Sequence, residues 1–221
     1  SNDRGNHMKD KLPFPLLDTP AALASCNGWT EEVYRDLLAL QEGSISHDTL
    51  DEKYMYRRAI LTLDLTGFTV QAMKDRPLNA LLRILDAQKV CIPVLHEHGA
   101  LLVRAFADDL VGLFEEPGQA LDAAFEIHRR VTAFNHSEHA SEQPALACIG
   151  IGYGQVYAIG PNLAMGDEMN RASKLGEDTA RGSETLVTAN TYFALRSRSD
   201  VLFEQLASDD QLFPYYRASP Q

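Results

Sequence analysis

The chain has 221 residues, of which 45% are hydrophobic, and a formal net charge of −11. This length suffices for one domain with an ordinary core, or for one domain with a small appendage. The acidic balance argues against general nucleic-acid binding, because phosphate contacts need a basic face. No apolar run is long enough to predict a membrane span. Three scattered cysteines without metal-binding spacing are typical of a reduced, cytoplasmic protein.

The N-terminal quarter predicts an appendage to a larger domain. SNDRGNHM at residues 1–8 is typical of a vector remnant, and Met8 is the expected native start. Residues 9–53 combine a loop-like KLPFPLLDTP, a helical WTEEVYRDLLALQEG and a polar ISHDTLDEKY. We expect this helical appendage to pack on the domain or on a partner chain. The main domain is predicted over residues 54–221.

The first part of the main domain predicts a strand, a helix and a hairpin. RRAILTLDL alternates as a buried strand that ends at Asp64. Residues 77–98 are apolar at helical spacing, and Gly99 ends that helix. LLVRAF and LVGLFEE are separated by ADD alone, which predicts two strands joined as a hairpin.

The second part continues the same alternation. Residues 117–136 predict an amphipathic helix, and LACIGIGYGQVYAIG predicts two strands around Gly152 and Gly154. GDEMNRASKLGEDTA predicts a helix, ETLVTAN a strand, and LFEQLAS with LFPYYRA a terminal hairpin. The β-α-β-β-α-β order predicts a ferredoxin-like α+β fold, a mostly antiparallel sheet with helices packed on it. GIGYGQ is no dinucleotide loop in this context, since no helix follows its strand.

Two aspartates are predicted to converge at one end of the sheet. Asp64 ends the first strand, and Asp108 lies at the tip of the hairpin beside it. Paired carboxylates there suit two divalent cations such as Mg²⁺ or Mn²⁺. The alternative is that one aspartate caps a helix and the other is a turn residue. Arg104 lies four residues before Asp108 and is expected on the same strand face, whereas Asp109 is expected to face solvent.

Two further segments suit a phosphorylated ligand. LTGFT opens a helix whose backbone N–H groups, from Thr66, Gly67, Phe68 and Thr69, can bind phosphate oxygens. In MNRASK, Asn170 and Lys174 are four apart on one helical face, which suits a ribose oxygen and a phosphate charge. The alternative for that pair is a solvated helix edge.

Together these segments resemble the class III nucleotidyl cyclases, the adenylate/guanylate cyclase family. The matching segments, over about residues 56–198, are LDLTGFT, VRAFADDLVGLF, GIGYGQVYAIG, MGDEMNRASKLGED and ETLVTANTYFAL. The resemblance implies a class III cyclase fold and a metal site at Asp64, Leu65 and Asp108. It also implies that Asn170 positions the ribose and that Lys174 stands where the family has a transition-state arginine. Finally, it implies a head-to-tail homodimer whose two sites are each shared between the chains.

Departures from the family concern the substrate. The late segment ASDDQ, residues 207–211, lacks the family's phosphate-binding lysine. The two base-reading positions fall on Arg104 and Leu163, and neither the adenine pair nor the guanine pair of the family is present. Arginine only donates hydrogen bonds, so it suits the acceptor-rich edge of uracil or cytosine. Leu163 would supply an apolar wall, and Tyr54 or Tyr56 a stacking face.

This pattern resembles the Pycsar anti-phage cyclases, which make cyclic UMP or cyclic CMP for an effector encoded nearby. The resemblance implies a pyrimidine nucleoside triphosphate substrate, UTP ahead of CTP, with two Mg²⁺ or Mn²⁺ ions as cofactors. One alternative is an adenylate cyclase with unusual base contacts. Another is a degenerate cyclase-homology domain that binds nucleotide or a partner without turnover.

Overall fold

A computed structural model describes residues 12–66, 76–140, 144–159, 163–207 and 213–221, with the backbone alone at Leu163 and Ala164. The chain divides after Leu50 into two compact units. The helices are α1 (Pro20–Ala24), α2 (Glu31–Glu42), α3 (His47–Tyr54), α4 (Pro77–Glu97), α5 (Pro117–Asn135), α6 (Asp167–Lys174) and α7 (Ala189–Leu195). The strands are β1 (Met55–Leu65), β2 (Leu102–Phe106), β3 (Asp109–Phe114), β4 (Ala147–Ile159), β5 (Leu163–Met165), β6 (Thr185–Thr188), β7 (Val201–Leu206) and β8 (Tyr215–Pro220).

Local signals fix the ends of the helix α2. The Thr30 hydroxyl accepts a hydrogen bond from the N–H of Val33, which satisfies one of the donors left open at a helix start. Gly43 ends the helix in the left-handed conformation at φ 78°, where glycine has no steric penalty. Among the helices that the structure describes, none has both the length and the hydropathy needed to cross a bilayer.

The sheet confirms the predicted fold. Seven strands follow the order β2-β3-β1-β4-β6-β8-β7, and β5 pairs with β4 outside that path. Every neighbouring pair is antiparallel except β4 and β6, which are parallel. The first four strands therefore have the ferredoxin-like order β2-β3-β1-β4, with the hairpin β2–β3 beside β1.

The two faces of the sheet bury different clusters. The larger cluster joins residues of α4 and α5, such as Leu95 and Leu121, to Leu61 and Leu63 of β1. On the opposite face, a second cluster joins α6 to the sheet. It contains Met169 and Ala172 of α6 together with Ile60, Val111, Leu113 and Val156 of the strands. Because side chains alternate along β1, Ile60, Thr62 and Asp64 all belong to the face that carries α6.

One predicted element is wrong in its extent. LACIGIGYGQVYAIG was expected to form two strands, but residues 147–159 form the single long strand β4. All eleven residues of β1 pair with it, from Met55 opposite Tyr157 to Leu65 opposite Ala147. Gly152 and Gly154 lie within one continuous strand, where the lack of a side chain lets α6 approach the sheet closely.

Candidate active site

Three carboxylates meet where β1 ends and the β2–β3 hairpin turns. One oxygen each of Asp64, Asp108 and Asp109 lies within 4.8 Å of the others, and we call these residues the carboxylate cluster. Asp108 lies in the two-residue turn between Phe106 and Asp109, after Ala107 at φ 51°. A positive φ at this position is typical of the primed turns that match strand twist. The pairing of β1 with β3 and the tight turn between β2 and β3 thus bring the three carboxylates together.

Crowding shifts the protonation of the cluster. Burial, a hydrogen bond with Asp108 and the charges of Asp108 and Asp109 raise the pKa of Asp64 to about 7, although the N–H of Leu65 opposes this shift. Burial and the charge of Asp108 also raise the pKa of Asp109. Carboxylates that repel one another in this way favour a divalent cation between them, and their oxygens are the ligands that Mg²⁺ and Mn²⁺ prefer. The residues present therefore fit the expected metals.

Asp109 corrects a prediction. It was expected to face solvent because neighbours on one strand point to opposite faces. However, Asp108 lies in the turn, and Asp109 is the first residue of β3. Leu63 pairs with Leu110, so the next position in register sets Asp109 opposite Asp64. The alternation argument failed because it treated both aspartates as strand residues.

Arg104 lies on β2 of the hairpin, but the prediction that it shares a strand face with Asp108 is wrong. On β2, Arg104 pairs with Val111 and Phe106 pairs with Asp109, so Arg104 is diagonal to Asp109. It was expected to share a strand face with Asp108, which instead occupies the turn. The charge of Arg104 partly offsets the upward pKa shift of Asp109. A partly buried cation therefore borders the carboxylate cluster.

Glu177 is a neighbouring acid that sequence reasoning missed. It lies in a π-helical turn, Leu175–Thr179, that follows α6 directly. Partial burial raises its pKa, and the charges of Asp109, Asp178 and Asp108 add to this, while Arg104 opposes it. These effects indicate that Glu177 lies close enough for its charge to interact with the carboxylate cluster. No signal in LGEDT distinguishes a π turn from an ordinary helix end.

Asn170 and Lys174 are both exposed on α6. Lys174 pairs with Asp178 at 3.1 Å. Within the described part of the chain, no hydrogen bond or ion pair joins either residue to the carboxylate cluster. Within the described residues, these two predicted catalytic residues and the predicted metal ligands thus share no direct polar contact.

Two glycines of β4 let α6 lie directly on the sheet. A Cβ at Gly150 would stand 2.2 Å from the carbonyl oxygen of Ala172, and one at Gly152 would stand 2.4 Å from that of Glu168. These approaches are too close for any side chain. The Thr62 hydroxyl of β1 also donates to the carbonyl oxygen of Ala172 over 2.8 Å. The GIGYG segment therefore fixes the position of the helix that carries Asn170 and Lys174.

Glu168 is a second acid whose role the sequence did not reveal. It lies in the first turn of α6, where an acid favours the helix dipole, and its side chain is also buried. Its Oε1 accepts hydrogen bonds from the Thr188 hydroxyl over 2.6 Å and the Tyr153 N–H over 3.1 Å. Its Oε2 accepts one from Arg171 over 3.1 Å. The buried carboxylate ties α6 to β4 and β6.

The remaining predicted site residues are spread out. Tyr56 is exposed eight residues before Asp64 on β1, about 27 Å away along the strand, and Arg58 lies over its ring. The Thr66 hydroxyl accepts from the N–H of Leu146 over 2.9 Å. The Leu65 side chain lies in the larger core cluster.

Other predicted positions are only partly described. The backbone of Leu163 belongs to β5 and pairs with Ile159. Gly67, Phe68 and Thr69 lie outside the described residues, as do residues 208–211 of the late segment. Their predicted roles stay predictions.

Comparison with known proteins identifies the fold. No protein-family model and no curated protein matches the chain. Among solved structures, the adenylyl cyclase CyaB from P. aeruginosa is 15% identical, with TM-score 0.65, over 76% of this chain and 95% of its own. The guanylate cyclase domain of RhGC from Catenaria anguillulae, in complex with GTP, is 16% identical, with TM-score 0.63, over 76% and 98%.

A third solved structure agrees with these. An adenylate/guanylate cyclase/hydrolase from Silicibacter pomeroyi is 20% identical, with TM-score 0.60, over 75% of this chain and 98% of its own. The chain therefore spans nearly the whole length of the cyclase domains it matches. These likenesses show that it has the fold of the adenylyl and guanylyl cyclase catalytic domains, as expected for class III.

Proposed function

We propose that this protein, whose fold is that of adenylyl and guanylyl cyclase domains, is a nucleotidyl cyclase. It converts a nucleoside triphosphate to the 3′,5′-cyclic nucleotide and pyrophosphate. The observation that carries this proposal is the carboxylate cluster, in which Asp64, Asp108 and Asp109 bring one oxygen each within 4.8 Å. A domain that only binds a partner has no need for three carboxylates that repel one another at a strand end.

Asp64 and Asp108 would hold the divalent cations, Mg²⁺ or Mn²⁺, and Asp109 lies close enough to assist them. Bound divalent cations lower the pKa of a ribose hydroxyl and neutralise phosphate charge. In the reaction, the 3′-hydroxyl loses its proton to solvent, its oxygen forms a bond to the α-phosphorus, and the bond from that phosphorus to the bridging oxygen breaks. Pyrophosphate then leaves with the electron pair.

Residues of α6 would act on the other side of the substrate. The Asn170 side chain can hold the ribose through its amide, and the Lys174 ammonium can stabilise the charge that develops on the α-phosphate. Lysine lacks the planar fork of arginine, so this stabilisation depends on a single charged group. Since no polar contact among the described residues joins Asn170 or Lys174 to the carboxylates, we propose that a head-to-tail homodimer completes each of two sites.

For the substrate we propose a pyrimidine nucleoside triphosphate, UTP ahead of CTP. Arg104, beside the carboxylate cluster, offers only hydrogen-bond donors, which suits the O2 and O4 acceptors of uracil. Leu163 would add an apolar wall. As in the anti-phage cyclases that the sequence resembles, the cyclic product would act as a second messenger on a separate effector.

The test incubates the full chain with Mn²⁺ and each of the four ribonucleoside triphosphates, and identifies any cyclic product. We expect cyclic UMP, or cyclic CMP at a lower rate. Asp64→Asn should lower the rate at least about 100-fold, because the metals lose a ligand. The matched control is Glu204→Gln, which changes an exposed acid on β7 and should leave the rate unchanged.

Other products, or none, would favour the alternative functions. Cyclic AMP as the main product would replace the pyrimidine proposal with an adenylate cyclase. Nucleotide binding without any cyclic product would indicate a degenerate domain. Arg104→Ala should reduce discrimination among the bases more than it reduces metal binding, and an equal loss for every triphosphate would refute its base-reading role.

A further inference from the structure

The helix α6 exposes a second cation beside the two predicted catalytic residues. An α-helix turns by about 100° per residue, so Lys174 lies about 40° around the axis from Asn170, and Arg171 lies about 100° around it. Arg171 therefore flanks Lys174 on the side away from Asn170. Its side chain is 42% exposed. The sequence resemblance assigned Arg171 no role.

Arg171 is held in place from below. Its Nη1 donates to Glu168 Oε2 over 3.1 Å, and the side chain of Glu168 is only 5% exposed. Glu168 is in turn fixed by the Thr188 hydroxyl and the Tyr153 N–H. The guanidinium carbon also stands 5.8 Å from the ring centre of Phe213. A planar fork anchored in this way loses little further freedom when it binds a ligand.

The ion pair is asymmetric, because its carboxylate is buried and its guanidinium is partly exposed. The Glu168 carboxylate lies among buried hydrogen-bond donors, whereas the guanidinium of Arg171 is partly exposed to solvent. By contrast, Arg130, Arg198 and Arg217 each contact two carboxylates. The exposed edge of α6 therefore carries two adjacent cations in a chain of net charge −11: Arg171, and Lys174, which pairs with Asp178 at 3.1 Å.

We propose that Arg171 binds the β- and γ-phosphates of the nucleoside triphosphate, an inference that rests on the proposed function. Around α6 the order is an amide, an ammonium and a guanidinium. This order follows the ribose, the α-phosphate and the terminal phosphates along a nucleotide. A guanidinium fork fits phosphate oxygens through paired charge-assisted hydrogen bonds.

The experiment measures binding of inorganic tripolyphosphate to the full chain by calorimetry, with Mn²⁺ present, and binding of uridine monophosphate in parallel. Arg171→Met should weaken tripolyphosphate binding about tenfold or more, as expected for lost charge-assisted bonds. Binding of the monophosphate should change less than about twofold, because it lacks the terminal phosphates. If Arg171 only neutralised Glu168, Arg171→Met would change the affinities for tripolyphosphate and for uridine monophosphate by similar factors.

Arg217→Met is the matched control. Arg217 has a similarly exposed side chain, at 37%, and pairs with Glu184 and Glu204 away from α6. It should leave both affinities unchanged. Thermal melting of each variant checks folding. If Arg171→Met fails to fold, Arg171→Lys takes its place, since it keeps the charge for Glu168 but loses the fork and should still weaken tripolyphosphate binding.

Tripolyphosphate binding by a folded Arg171 variant at the wild-type affinity would overturn the inference, and so would wild-type protein that does not bind tripolyphosphate. The proposed function fails differently, through the absence of any cyclic product. A chain that makes no cyclic nucleotide but binds tripolyphosphate through Arg171 would lose the proposed reaction and keep the phosphate site.

Discussion

Asp64 couples the stability of the protein to pH. Its pKa in the folded protein is raised to about 7 from an ordinary 3.8, mainly by burial and by Asp108. Between these values the folded state holds more protons than the unfolded state. The contribution of Asp64 to stability is therefore full below the ordinary pKa and is lost as pH rises through about 7.

We therefore expect the metal-free protein to melt at a higher temperature at pH 6.5 than at pH 8. Burial lowers the pKa of His128 from 6.5 to about 4, so most of the opposing effect of this histidine falls below the chosen interval. Asp64→Asn should flatten the profile, and saturating Mn²⁺ should raise the melting temperature most at pH 8. A melting temperature that rises from pH 6.5 to pH 8 without metal would contradict this account.

At the scale of single residues, the sequence predicted Asp64 and Asp108 because strand ends and hairpin tips can be located from alternation. It could not place Asp109, since a shift of one residue between turn and strand reverses the face of a side chain. Nor could it find Glu168, whose burial depends on Thr188, twenty residues away in the chain.

At the scale of elements, the approach of α6 to β4 is the contact most sensitive to volume. A Cβ at Gly152 would meet the carbonyl oxygen of Glu168 at 2.4 Å, where backbone cannot yield without moving the helix. We expect Gly152→Ala to destabilise the protein by about 2–4 kcal/mol. It should also reduce the proposed cyclase activity by displacing Asn170 and Lys174.

The control for this prediction is Gly118→Ala. Gly118 lies in α5, and its added Cβ would meet nothing closer than 3.8 Å. This substitution should be neutral or stabilise the helix by up to about 1 kcal/mol. Chemical denaturation of both variants measures the difference. Equal free energies of unfolding for the two would show that the close approach of α6 does not depend on glycine.

The sequence located helices better than it located the transition after α6. Pro77 and Gly99 bracket α4, and both act locally, so its bounds were predicted to within one residue. The π turn at residues 175–179 depends on a tertiary contact instead. A Cβ at Gly176 would stand 2.6 Å from the Thr62 hydroxyl of β1, an approach that no local pattern encodes.

At the scale of the whole molecule, the order of elements predicted the ferredoxin-like core, because each crossover and hairpin has one favoured arrangement. The order did not predict that β6 would pair in parallel with β4 and carry the terminal hairpin at its far side. Such pairing joins segments far apart in the chain. It follows from which faces remain to be covered once the core strands are placed.

The proposed homodimer predicts a complementation experiment. Asp64→Asn and Asn170→Ala should each inactivate the protein alone. If the carboxylates of one chain act with the α6 residues of the other, a mixed dimer contains one site with both residues intact. An equal mixture after subunit exchange should then recover about a quarter of the wild-type rate.

The readout is the rate of cyclic product in the mixture, with each variant alone as the control. Failure to recover activity, although mass measurement shows mixed dimers, would indicate that each chain contains a whole site. Recovery without detectable dimers would keep the shared site and indicate that the chains pair only transiently during turnover.

The lack of a direct polar contact between Asn170 or Lys174 and the carboxylate cluster has a consequence for how the rate of product formation would depend on protein concentration. If two chains must meet to complete a site, the rate in dilute conditions grows with the square of chain concentration rather than in proportion to it. A modest rise in expression would then produce a disproportionate rise in product. The concentration of the protein would itself act as a threshold, below which most chains would be unpaired and would make little product.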